Sequence, residues 1–179
     1  MKMLKRILIF TCMIFCLLPF SFVKATDFEI ASKAAVLMET TTGKILLSKD
    51  ENEQLYPAST TKILTAILAI EKYNLTDKLT ASNTAVMSIP AGYSNAGIKQ
   101  GETLTVDELL NLFLIHSANE VGYIFAENIS GNIENFANLM NQKASSLGCK
   151  NTHFTNPSGI HDVNHYSTAY DMALIAQYC

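Results

Sequence analysis

The stretch "AAVLMETTTGKILLSKD" limits the fold more than any other part of the chain. Its apolar residues form two short runs around a turn, while everything after it repeats at helical spacing. Strands are predicted over 34–39 and 44–48, joined by a Thr-rich turn in which Gly43 supplies positive φ. Helices are predicted over 60–73, 82–89, 106–115, 120–129, 133–147 and 168–178. A lone hairpin is marginal in water and leaves at least one unpaired edge. The chain is therefore expected to be the N-terminal part of a larger domain whose closing strands lie beyond residue 179.

Composition and the first residues narrow the class. With 49% hydrophobic and 16% charged residues and a formal net charge of -3, the chain fits one ordinary globular domain and shows no electrostatic footprint for nucleic acid. The opening "MKMLKRILIFTCMIFCLLPFSFVKATDFE" carries Lys2, Lys5 and Arg6, an apolar run from Ile7 to about Val23, and Val23-Lys24-Ala25 as a small-x-small exit site. It is read as a secretory signal peptide over 1–25, cut after Ala25, with 26–179 exported. An uncleaved anchor is the alternative, since the run approaches the roughly 17 residues that span a bilayer. Cys12 and Cys16 fall in the leader, and no cysteine stands at the cleavage point to take a lipid. Cys149 and Cys179 remain, either as one disulfide or as two unpaired thiols, because spacing alone shows no proximity.

The helix predicted over 60–73 opens in "PASTTKILTAILAIEKY". With Thr60 as its first residue, Ser59 is the N-cap and Lys62 lies three residues on, so hydroxyl and amine project from one face. A serine hydroxyl is a weak nucleophile until a base removes its proton, and lysine is such a base only when neutral part of the time. Ile63, Leu64 and Ile67 would desolvate the ammonium and the helix dipole would disfavour it further, both lowering its pKa. Ser-x-x-Lys nevertheless arises by chance about once in such a chain, as in Ser21-Phe22-Val23-Lys24, so a solvated first-turn lysine competes with the catalytic reading.

A second cluster, Ser117-Ala118-Asn119, stands between two apolar helices, where an extended connection would point hydroxyl and carboxamide to one side. Such a pair suits proton relay and recognition of a peptide amide. Ser130-Gly131-Asn132 shares the letters, but Gly131 stands where a helix C-cap would be, and it is read as a structural turn. Thr105 and Glu108 form a capping box, and Ser167 is placed to cap the last helix. "CKNTHFTNPSGIHDVNHY" is a long polar loop, a length usual for functional or disordered segments.

Ser59-x-x-Lys62 preceded by Pro57-Ala58, then Ser117-x-Asn119 after a leucine-rich helix, resembles the low-molecular-weight penicillin-binding proteins, the serine-type D-alanyl-D-alanine carboxypeptidases. The similarity continues through Met140-Asn141, Ala144, Leu147-Gly148, Thr152-x-Phe154-x-Asn156-Pro157-x-Gly159 and Ser167-Thr168-Ala169-x-Asp171, and covers the whole mature chain. The resemblance implies an α+β, penicillin-binding/β-lactamase-like transpeptidase fold, a helical cluster against an antiparallel sheet, here truncated before its C-terminal strands. It implies Ser59 as the acylated nucleophile, Lys62 as its base, Ser117 as proton relay and Asn119 as the residue that holds the substrate's peptide. The implied substrate is the D-Ala-D-Ala end of a peptidoglycan stem peptide, cleaved at the cell wall or the outer face of the cytoplasmic membrane, with β-lactam antibiotics acylating the same serine. No metal or organic cofactor is implied. Relatives often carry a C-terminal amphipathic anchor to the membrane surface, for which no residue here stands.

Several features depart from that pattern or have blander readings. No lysine is followed by Thr or Ser and then Gly, so the family's third motif is absent, and with it one backbone donor of the oxyanion hole, worth about 10²–10³ in rate. A non-catalytic peptidoglycan-binding remnant is the rival this favours. Glu120 and Val121 replace an expected Asp and Ala, a mild departure. His161-x-x-x-His165 has a ligand-like spacing, but no carboxylate or cysteine completes a tetrahedral set, and His116, His153, His161 and His165 are read as ordinary loop residues. Glu134 is read as a solvated helix residue rather than a deacylating glutamate, which makes a β-lactamase the weaker enzyme reading.

Overall fold

The structure, a computed structural model, describes residues 29–179. The leader read over 1–25 lies outside the described residues. Strands β1 (Ala35–Met38) and β2 (Ile45–Lys49) pair antiparallel, with Val36 opposite Ser48, Leu37 opposite Leu47, and a bulge between Leu37 and Met38. The turn closes as the Thr-rich sequence suggests. The Glu39 carboxylate accepts from the backbone N–H groups of Thr41 and Thr42, and Gly43 has a φ of 70°.

The helices follow the predicted order, with ends that differ from the prediction by no more than two residues. They are α1 (Lys62–Lys72), α2 (Asn83–Met87), α3 (Val106–Leu114), α4 (Asn119–Ser130), α5 (Ile133–Ser146) and α6 (Ala169–Gln177). The Thr105/Glu108 capping box forms, Gly131 ends α4 at a φ of 81°, and Asn132 caps α5. The last helix corrects an expectation. Thr168, not Ser167, is its N-cap, accepting from the N–H of Asp171, while the Ser167 hydroxyl bonds that of Thr152. A second sheet, β3 (Lys78–Thr80) against β4 (Thr103–Thr105), went unforeseen because three residues per strand are too few for a period of two to register. Leu79 turns inward and the Thr80 and Thr103 hydroxyls bond across the pair at 2.9 Å.

Helix α1 is buried on all sides from Leu64 to Ala69 because it separates two cores. Ala66 and Ala69 face a cluster built on Leu109, Phe113, Val121 and Phe125, in which the rings of Phe113 and Phe125 meet edge to face at 5.9 Å. Leu64, Ile67 and Leu68 face a second cluster with Phe136, Met140, Phe154 and Ile175. Helix α6 packs on β1, and the side chain of Gln177 donates to Thr40 O at 2.7 Å. Leu37, Leu46 and Leu47 of the hairpin are exposed. Cys149, half-buried, and Cys179, exposed, are both free thiols.

The loop over 149–166 is ordered by side chains that stand in for secondary structure. The buried Asp171 carboxylate accepts from Lys150 N, Asn151 N and the Thr152 hydroxyl at 2.7–3.1 Å. Asn141 pairs reciprocally with the N–H and C=O of Phe154, both at 2.8 Å. Asn156 Oδ1 accepts from the N–H groups of Ser158, Gly159 and Ile160. Removing the Asp171 carboxylate orphans three donors at once, so Asp171→Ala is expected to lower the stability of the domain by roughly 3 kcal/mol, read from urea unfolding. A loss under about 0.5 kcal/mol, the size of an ordinary surface substitution, would show that water takes over those donors.

Candidate active site

Ser59 lies inside a 3-10 turn (Ala58–Thr61) that precedes α1, rather than at an N-cap, and Lys62 is the first α-helical residue. A 3-10 turn has three residues per turn, so it stacks positions i and i+3 directly above one another. The Lys62 Nζ accordingly donates to Ser59 Oγ at 3.1 Å. Ser59 is exposed while Lys62 is 3% exposed, which places the hydroxyl at the protein surface and the amine behind it. Nζ also donates to Asn119 Oδ1 and to Ser158 O, both at 2.8 Å, and lies 5.6 Å from the centre of the Phe113 ring. Burial pushes the amine's pKa from its ordinary value down to about 8.

The connection at Ser117 differs from the extended form expected. Ser117 has a φ of 57°, in the left-handed region, and Asn119 opens α4. The two side chains still converge. Ser117 Oγ lies 3.2 Å from Ser59 Oγ, and Asn119 reaches Lys62. Ala58, next to Ser59, also has a positive φ, 48°. Two left-handed non-glycine residues beside the hydroxyl pair are strained conformations of the kind held only where the surroundings over-determine them.

Two residues to which the sequence reading gave no role in the site hold the Ser59 turn in place. Gly159 packs so tightly beneath it that an added Cβ would sit 1.8 Å from Ala58 O, and its φ of 82° admits few other residues. His165, read as an ordinary loop residue, is buried instead. Its Nδ1 accepts from Thr155 N at 3.1 Å, which leaves the protonated Nε2 to donate to the Thr61 hydroxyl at 2.9 Å. Its tautomer is thus assigned from its partners, and burial pushes its pKa down to about 4. Only the packing of the loop against the 3-10 turn distinguishes His165 from its neighbours. His161 stays exposed, edge-on to Tyr56, and His116 and His153 are exposed as well. Among the described residues no group of three or more His, Cys, Asp or Glu gathers to hold a metal ion. Glu134 is exposed in the first turn of α5.

A neutral buried histidine sets a pH window. With a folded pKa near 4 and an ordinary unfolded value of 6.5, the unfolded chain binds the extra proton between those values, so stability falls as pH drops from about 6.5 towards 4, by roughly 3 kcal/mol over the window. A Tm series across pH 4–7 should show this slope, and His165→Gln should flatten it. A wild-type profile that is level over the window would contradict the buried neutral imidazole. Gly159→Ala should in turn displace the Ser59 turn, seen as a Tm drop of several degrees; an unchanged Tm would contradict the close approach.

Comparison with known proteins identifies the family and the fold. A family profile described as D-alanyl-D-alanine carboxypeptidase, peptidase S11, matches residues 21–179. The D-alanyl-D-alanine carboxypeptidase DacF of Bacillus subtilis is 40% identical over 99% of the chain, and DacA of Haemophilus influenzae is 34% identical over 82%. The chain spans 47% and 39% of those two relatives, about half their length or less. Among solved structures, the carboxypeptidase DacD of Francisella tularensis superposes with a TM-score of 0.80 at 34% identity, covering 87% of this chain and 38% of that one. The Streptomyces K15 DD-transpeptidase gives 0.79 at 29%, over 86% of this chain and 62% of that one. With the α+β penicillin-binding fold and a family match over residues 21–179, the chain belongs to the D-alanyl-D-alanine carboxypeptidase family of serine peptidases.

Proposed function

We propose that this chain carries the acylation machinery of a serine-type D-Ala-D-Ala carboxypeptidase, with Ser59 as nucleophile, Lys62 as its base, Ser117 as proton relay and Asn119 as a substrate-binding residue. The observation that supports this reading most is how the bonds of the Lys62 amine are shared out. An ammonium has three protons, and three acceptors face it. Asn119 Oδ1 and Ser158 O can only accept, so a neutral amine spends its two protons on them and turns its lone pair to Ser59, the one partner with a proton to give. With a pKa near 8, roughly a tenth of the molecules hold this neutral form at pH 7.

In the reaction proposed, Lys62 takes the Ser59 proton as Oγ bonds to the carbonyl carbon of the penultimate D-alanine of a peptidoglycan stem peptide. The C–N bond to the terminal D-alanine breaks, and the proton passes from Lys62 to the leaving nitrogen by way of the Ser117 hydroxyl. Water then hydrolyses the ester, freeing the shortened peptide and Ser59. Of the two Asn119 amide protons one is held by Ser94 O at 2.8 Å, and the other remains for a substrate carbonyl. A β-lactam presents the same electrophilic carbonyl, and a solved relative from Haemophilus influenzae is named penicillin binding protein 5. Export to the cell wall, under the leader ending at Ala25, is the localisation that fits this substrate.

Fluorescent penicillin tests the assignment on the protein as the cell produces it. Covalent labelling is expected, with loss in Ser59→Ala; label that survives Ser59→Ala removes Ser59 as nucleophile. Labelling should rise about tenfold per pH unit between pH 6 and 7 and level off above about 8. Lys62→Arg keeps the charge but gives no base near neutrality, and should slow acylation by roughly 10²–10⁴. A Lys62→Arg protein that acylates at the wild-type rate would make the lysine structural.

A further inference from the structure

Glu120, the residue after Asn119, is one methylene longer than the Asp expected there. Its side chain is 2% exposed at the start of α4, where the helix dipole favours a negative charge. Oε1 accepts from Ala96 N at 2.6 Å and Gly97 N at 3.1 Å. Oε2 is buried with no hydrogen-bond partner among the described residues. A buried carboxylate half unsatisfied is costly, so the two bonds its other oxygen makes to the loop are the interactions that offset the cost.

The loop it grips is the one that orients Asn119. Two residues before Ala96, the carbonyl of Ser94 accepts from both the backbone N–H of Asn119, at 3.0 Å, and the side-chain Nδ2, at 2.8 Å. A carboxamide has two faces that differ only in donor and acceptor. With Nδ2 committed to Ser94 O, Oδ1 must face Lys62, where it accepts at 2.8 Å. If the amide flipped, its NH2 would meet the lysine amine and one acceptor of that amine would be lost.

We propose that Glu120 is a positioning residue: by holding Ala96 N and Gly97 N it keeps Ser94 O against Asn119, and so fixes the amide orientation that aims Oδ1 at Lys62. Glu120 touches neither Ser59 nor substrate in this account. Its effect passes through Ser94, Asn119 and Lys62 in turn. The functional consequence rests on the acylation reading above, whereas the amide lock itself does not.

The test therefore uses two readouts. Hydrogen exchange of the Asn119 side-chain amide, followed by NMR, reports the lock without any chemistry. In wild type the Nδ2 proton held by Ser94 O should exchange slowly; in Glu120→Ala it should exchange at least tenfold faster. Penicillin acylation of Glu120→Ala should fall at least tenfold in maximal rate, with little change in the concentration for half-maximal rate. Glu120→Gln, which keeps an acceptor for the two loop amides, should restore most of both signals. Ala96→Pro deletes the shorter bond from the exposed loop side, leaves the buried carboxylate in place, and should reproduce the loss where Glu120→Ala fails to fold. Wild-type Asn119 exchange in either Glu120→Ala or Ala96→Pro overturns the lock. Faster exchange with an unchanged acylation rate overturns its link to the chemistry. If the wild-type protein takes no label, or Ser59→Ala still does, the acylation reading fails while the exchange result still decides the lock.

Discussion

The amine of Lys62 is the group on which the other features of the site depend. Taking an ammonium out of water is expensive, by several kcal/mol even after relaxation, unless its protons find partners. Here each of the three partners comes from a different part of the chain: Ser59 from the turn before α1, Asn119 from the first turn of α4, and Ser158 from the loop over 149–166. The amine is thus both held by the tertiary structure and, because burial brings its pKa to about 8, close in free energy to its neutral form. A surface lysine would have neither property.

Holding one small polar group at the junction of three segments demands rigid surroundings. Two separate hydrophobic clusters flank α1, so the helix that carries Lys62 cannot turn about its own axis without emptying one of them. The strained backbone at Ala58 and Ser117 persists because Gly159 lies directly under the first, and α3 and α4 clamp the second between their ends. His165 fills the space between loop and turn as a neutral donor, and Thr65 adds a bond to Pro157 O at 2.7 Å. Loop and helix are in this way joined by hydrogen bonds on both sides of the Lys62–Ser158 contact.

The residues that carry the family resemblance outside the two motifs turn out to serve the backbone rather than the chemistry. Asn141, Asn156 and Asp171 together take up eight backbone N–H or C=O groups of the segment 150–160. Asn156 both accepts from and donates to this segment, and such saturation allows a loop with almost no regular structure to pack against the domain. The segment therefore behaves as the floor of the site.

Legibility in the sequence followed the physics of each signal. Helices α1, α3, α4 and α5 were readable because burial of one face or both repeats over nine residues or more. Ser59, Lys62, Ser117 and Asn119 were readable because their spacing is local: three residues or two, within a single turn or connection. The β3–β4 pair left too short a pattern, and the roles of His165, Gly159 and Glu120 left none, since each acts on a partner 23 to 104 residues away in the chain. By itself the sequence determined the order of elements, the two motifs and the loop that had to be functional or disordered. Only the tertiary structure decided that Lys62 is buried and shared among three acceptors, because desolvation and amide orientation depend on groups that chain spacing does not bring together.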